Sequence, residues 1–151
     1  MVELLEHGGV FPDLKGTTPG EVLSSLAGAL PPIPSVPADR LLTAILEREA
    51  LMSTGIGMGI ALPHPRNPLV REEESFVALG FTEQPVDWNS LDGVRVDTLL
   101  LIVSVSAKQH LRTLSEINYL CRREDFYRLL KKRAPLDEIL NFIREAERKW
   151  E

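Results

Sequence analysis

His64 stands between Pro63 and Pro65 at the end of the run Gly59-Ile60-Ala61-Leu62. Pro65 disfavours the α conformation for the residue before it and supplies no N–H of its own. The ring is therefore expected to project from extended or turn backbone. A second imidazole, His110, falls in the first turn of a helix that Ser106 opens. Anions are favoured at that end of a helix and an imidazolium is disfavoured. Arg48, just before the glycine-containing stretch, adds a planar cation able to grip phosphate oxygens through two N–H groups. Two neutral imidazoles and a guanidinium suit a phosphate-sized anion.

Each of the three also has a plainer reading. His64 alone fits a structural histidine, His110 an ordinary surface histidine, and Arg48 a solvated cation paired with Glu47 or Glu49. Arg66, two residues after His64, is a further cation with the same two readings. His7 has no companion motif and lies in an N-terminal segment read as loose. Gly55, Gly57 and Gly59 alternate without the spacing of a dinucleotide loop and are followed by no Gly-Lys-Ser/Thr. By themselves they fit a turn that needs glycine φ angles, and before His64 they read as a flexible, hinge-like approach. Zinc needs a third ligand beside His64 and His110, and neither H-x-H nor H-E-x-x-H is present. No G-x-S-x-G elbow supports a serine hydrolase. No metal and no cofactor are therefore expected.

The rest of the chain bounds the setting of these residues. Its 151 residues suit one domain, 1–151, with a formal charge of −5 that argues against nucleic acid as the main ligand. No apolar run approaches the roughly 18 residues of a membrane span, so the chain is not expected to be membrane-embedded. Cys121 is alone and no basic leader precedes an apolar stretch, which together suit a cytoplasmic protein.

Thr18-Pro19-Gly20-Glu21 marks a helix start, with Val22, Leu23, Leu26 and Leu30 on one face. The prolines at 31, 32, 34 and 37 form a stiff connector, and a second helix follows from about Ala38 to Ala50. Phe76 to Phe81 and Val96 to Val105 read as strands, joined by a structured loop from Pro85 to Gly93. Ser106-Ala107-Lys108-Gln109 repeats the capping pattern and opens a helix through Cys121. A last helix begins near Pro135 with Leu136, Ile139, Leu140, Ile143 and Trp150 spaced for one face. Helices at both ends with strands between them indicate an α/β fold around one sheet.

With these residues assembled, the chain resembles the IIA domains of the fructose/mannitol class (type 2) in the bacterial phosphoenolpyruvate-dependent sugar phosphotransferase system. It is most similar to their nitrogen-regulatory members. The resemblance rests on Leu46-Glu47-Arg48-Glu49-Ala50-Leu51-Met52-Ser53-Thr54-Gly55-Ile56-Gly57 leading to Gly59-Ile60-Ala61-Leu62-Pro63-His64. Pro85-Val86-Asp87-Trp88, Leu91-Asp92-Gly93 and His110-Leu111 support it in order and spacing. It implies a single mixed sheet of about five strands flanked by helices on both faces. It also implies that His64 is the phosphoryl acceptor, with His110 and Arg48 stabilising the phosphoryl group. The implied donor is an HPr-like phosphocarrier protein. The implied acceptor is a IIB domain or a regulatory target protein; the second output, a purely regulatory module switched by His64 phosphorylation, is the alternative. Met58, Ile60, Leu62 and Leu111 fit walls of the site and fit plain core packing equally well. Pro65-Arg66-Asn67-Pro68 departs from the small residues that many members carry after the histidine, and residues 1–10 read as a lead-in segment from a longer natural chain.

Overall fold

The structure, a computed structural model, describes residues 1–150 except for the side chain of Trp150. Among these, five strands form one sheet in the order β1-β4-β5-β3-β2. They are β1 (Val10–Leu14), β2 (Gly55–Gly57), β3 (Ile60–Ala61), β4 (Phe76–Val86) and β5 (Val96–Val103). The β1–β4 and β3–β5 pairs are parallel, and the β4–β5 and β2–β3 pairs are antiparallel. The sheet is mixed, as expected.

Six helices cover both faces: α1 (Val2–Gly8), α2 (Pro19–Ala29), α3 (Ala38–Leu51), α4 (Ala107–Cys121), α5 (Glu124–Lys131) and α6 (Leu136–Trp150). Because both faces are covered, β5 is a nearly continuous apolar run and does not alternate polar with apolar. Its residues divide by parity all the same. Leu100 and Ile102 join Val77, Leu79 and Ile60 in the core under α1, α4, α5 and α6. Leu99, Leu101 and Val103 join Ala61 and Ala78 in the core under α2 and α3, which also buries Trp88.

Both capping patterns hold, with one difference. The Thr18 and Ser106 hydroxyls accept the N–H of Glu21 and Gln109, at 3.2 and 3.1 Å. The Glu21 and Gln109 side chains reach back one residue further than a capping box requires, accepting the N–H of Thr17 and Val105.

The N-terminal segment, read as loose from the sequence, instead holds α1 and the start of β1, with Leu5 only 1% exposed. His7 belongs to that helix, and its Nδ1 lies 3.4 Å from the Ser75 carbonyl oxygen. The segment is anchored because Gly8 lets the α1 backbone touch β4; a Cβ there would stand 1.9 Å from the Val77 oxygen. Strands β1, β2 and β3 were not legible. Each is short, and β2 and β3 together span only five residues of Gly, Ile and Ala.

Candidate functional site

Strand β3 delivers His64. Side chains alternate along extended backbone, so Ile60, Leu62 and His64 share one face, the face covered by α4. Pairing continues past Ala61: the Leu62 N–H donates to the Thr54 carbonyl at 2.9 Å, and the Pro63 carbonyl accepts the Ile102 N–H at 3.0 Å. Pro63 and Pro65 are buried and His64 is half-buried. Strand β5, beside β3, passes directly through Ser104 and Ser106 into α4, whose first turn carries His110. Both ring-bearing segments therefore emerge at the C-terminal ends of a parallel strand pair, where open α/β sheets form crevices. The two imidazole centroids are 4.4 Å apart with planes tilted by 45°.

The Nδ1 of His64 lies 2.9 Å from the Leu62 carbonyl oxygen. A carbonyl can only accept, so Nδ1 carries the proton and Nε2 keeps its lone pair. Burial holds the His64 pKa below the ordinary imidazole value, the Leu62 contact opposes this, and Arg48 lowers it further while Glu49 raises it. Burial also lowers His110, to about 4, helped by His64 and Arg48. Both rings are thus neutral at neutral pH. For His110, desolvation and neighbouring positive charge account for what the sequence reading assigned to the helix end alone.

Arg48 ends α3 and acts electrostatically on both imidazoles. Its Nη1 donates to the Met52 carbonyl at 2.7 Å, which fixes the turn after α3 and ties the guanidinium to it. No ion pair of Arg48 with Glu47 or Glu49 forms among the described residues. Glu49 has a different task, one that residue type alone did not disclose. Its carboxylate accepts the Thr54 N–H at 2.7 Å and the Thr54 hydroxyl at 2.5 Å. The buried Trp88 indole N–H donates to the same hydroxyl oxygen at 3.3 Å, and the Trp88 carbonyl accepts the Ser53 hydroxyl at 2.5 Å. Thr54 in turn pairs with Leu62, whose carbonyl orients His64. This network links α3 and the Trp88 loop to the ring; its only sequence signal was that Glu49, Thr54 and Trp88 fall inside the blocks quoted above.

The glycine stretch is a hairpin turn, not a hinge. Gly57, Met58 and Gly59 have φ of 92°, 58° and 80° between the paired strands β2 and β3. A two-residue hairpin turn of type I′ needs positive φ at both central residues, here Met58 and Gly59, and Met58 is not a residue that adopts it freely. Contacts on both sides hold it there. The Asp92 carboxylate accepts the Met58 N–H at 2.8 Å, and the Tyr127 hydroxyl donates to the Met58 carbonyl at 3.1 Å. Of the candidate wall residues, Met58 and Leu111 are exposed, at 39% and 66%. Ile60 and Leu62 are fully in the core instead, because their face of β3 is the one α4 covers.

A family model described as "Phosphoenolpyruvate-dependent sugar phosphotransferase system, EIIA 2" matches residues 3–146. A nitrogen regulatory protein of Pseudomonas aeruginosa is 32% identical over 141 residues, covering 91% of this chain and 90% of the relative. The fructose-specific EIIABC component of Bacillus subtilis is 34% identical over 107 residues, 70% of this chain and 16% of that much longer protein. Among solved structures, the nitrogen regulatory protein IIA-Ntr of Neisseria meningitidis superposes with a TM-score of 0.78 at 21% identity, covering 94% of this chain and 97% of that one.

Proposed function

As the chain belongs to the EIIA type 2 family of the phosphoenolpyruvate-dependent sugar phosphotransferase system, we propose that His64 is the residue on which it carries the phosphoryl group. Domains of this family receive phosphoryl groups from phosphocarrier proteins and pass them to IIB domains. The observation that carries the assignment is the Leu62 carbonyl on His64 Nδ1, which leaves Nε2 unprotonated on a ring whose centroid is 4.4 Å from that of a second neutral imidazole. In the transfer, the P–N bond of a phosphohistidine on the donor breaks as the bond from phosphorus to His64 Nε2 forms. The donor imidazole keeps the electron pair of its broken bond. Such a step depends mainly on in-line positioning and on stabilising the equatorial oxygens. His110, donating an N–H, and the Arg48 guanidinium are the groups we assign to those oxygens. The reverse exchange onto an acceptor uses the same contacts.

An HPr-like carrier is the proposed donor. Around the site, Leu51, Met52, Ile56, Met58, Leu91 and Leu111 are exposed on the segments that bear Arg48, the hairpin, the Trp88 loop and His110. An apolar collar of this kind suits a protein that must bring its own phosphohistidine into contact and then leave. No helix among the described residues is long and apolar enough to cross a membrane, and we place the exchange in the cytoplasm with soluble partners.

Incubation with enzyme I, an HPr-type carrier and labelled phosphoenolpyruvate tests the assignment. Acid-labile label is expected on the wild type and not on His64→Ala. Equal labelling of the two proteins would overturn it. Capture experiments with the phosphorylated and free forms then identify the acceptor. A IIB domain bound in preference to other proteins marks transport, and a target bound by one form alone marks a regulatory output.

A further inference from the structure

A cleft of about 240 Å³ opens beside His110. Pro65, Arg66, Ser104, Ser106 and Ala107 line it, whereas neither His64 nor Arg48 does. Besides His110, its polar side chains are those of Arg66, Asn67, Ser104 and Ser106. Ser104, the first residue beyond β5, is only 6% exposed, and its hydroxyl has no hydrogen-bond partner among the described residues. The hydroxyl is not among the side-chain atoms sealed from solvent, so it stays open to a ligand in the cleft. Arg66 is exposed and holds no ion pair or hydrogen bond among the described residues. At the start of α4, Ser106 satisfies the N–H groups of Gln109 and His110, while those of Ala107 and Lys108 precede the first intrahelical bond and remain open. No carboxylate lines the cleft. Donors and positive charge from two stretches, residues 65–68 and 102–111, thus meet with no carboxylate beside them, an arrangement that takes an anion.

The size narrows the class. The volume corresponds to about eight molecules of liquid water, at roughly 30 Å³ each. A phosphate group has five heavy atoms, which leaves room for a short organic body against Pro68, Ile102 and Leu111. We propose that this cleft is a binding site for small phosphate monoesters, separate from the position of the phosphoryl group on His64. Since His110 borders both positions, a bound monoester would oppose the arrival of a second anion at His64. That consequence rests on the function proposed above; the binding itself does not.

The test is a titration of ¹⁵N-labelled protein with glycerol 3-phosphate at fixed ionic strength, with glycerol as control. Saturable shifts are expected at the amides of Ser104, Ala107 and Lys108, and none with glycerol. Arg66→Ala is expected to weaken binding about tenfold, and Ser104→Ala severalfold. His64→Ala is expected to bind as the wild type does. Shifts that do not saturate, or that spread over the protein surface, would overturn the site. So would an Arg66→Ala protein that binds unchanged. Loss of binding in His64→Ala would place the anion on the transfer position and overturn the separation. Because no phosphoryl donor is present, failure of His64 to accept label would leave these outcomes unaffected.

Discussion

At the scale of single residues, the site depends on which nitrogen is free and which groups keep it so. His110→Ala is expected to slow phosphoryl acceptance by about 10²-fold, the size seen when one charge-stabilising donor is removed, while leaving His64 able to accept label. A folded His110→Ala protein with no labelling at all would overturn that supporting role. Glu49 raises the His64 pKa, so Glu49→Gln should lower it further, which NMR titration of the ring would read directly. An unchanged pKa in this variant would mean that the carboxylate serves only Thr54. As the proposed acceptor, His64 would react only as a neutral ring, and burial holds its pKa below the ordinary value. Acceptance should accordingly be independent of pH from neutrality down to about 6.5, falling only below it. The residue types at 48, 64 and 110 were readable as chemistry from the chain. The roles of Glu49, Thr54 and Trp88 were not, since a carboxylate, a hydroxyl and an indole acquire meaning only from what they touch.

At the scale of elements, the β2–β3 hairpin sets the position of His64, the proposed nucleophile. Gly59 has φ of 80°, and a Cβ there would lie 2.6 Å from the Lys131 ammonium and 3.2 Å from the Arg95 carbonyl oxygen. Gly59→Ala should cost about 1–2 kcal/mol from the left-handed backbone alone and should disturb the Lys131–Asp97 pair at 2.6 Å. Denaturant unfolding would measure the first effect. Wild-type stability in this variant would show that the hairpin relaxes at no cost. Thr54→Val keeps the shape of the side chain but leaves Glu49 and the Trp88 N–H without that hydroxyl, at about 1–3 kcal/mol. The glycines were legible as turn formers. That they close a hairpin, instead of forming a flexible approach, followed from pairing partners on β5 and from Asp92 and Tyr127, 34 and 69 residues away.

At the scale of the whole molecule, protonation of the paired imidazoles opposes folding. The folded state holds His110 near 4, whereas the unfolded chain binds the proton near 6.5. Between those values the unfolded chain carries more protons, so stability is full above about pH 6.5 and is lost progressively as pH falls toward 4. His110→Ala should flatten the unfolding free energy across that window, and an unchanged slope would exclude His110 as a source. The α/β class, the two capped helix starts and the long strands at 76 and 96 could be read from the sequence. So could the residue types at 48, 64 and 110 from which the site is proposed, because propensity, capping and side-chain chemistry are properties of short segments. The N-terminal helix, the small strands and the exposed or buried fate of Met58, Ile60, Leu62 and Leu111 were decided only by packing. So was the closeness of His64 and His110, 46 positions apart in the chain and 4.4 Å apart in space. The physical reason is the β3–β5 pairing: a short strand with little propensity of its own takes its place from its neighbour, and that neighbour runs on into the helix that carries His110.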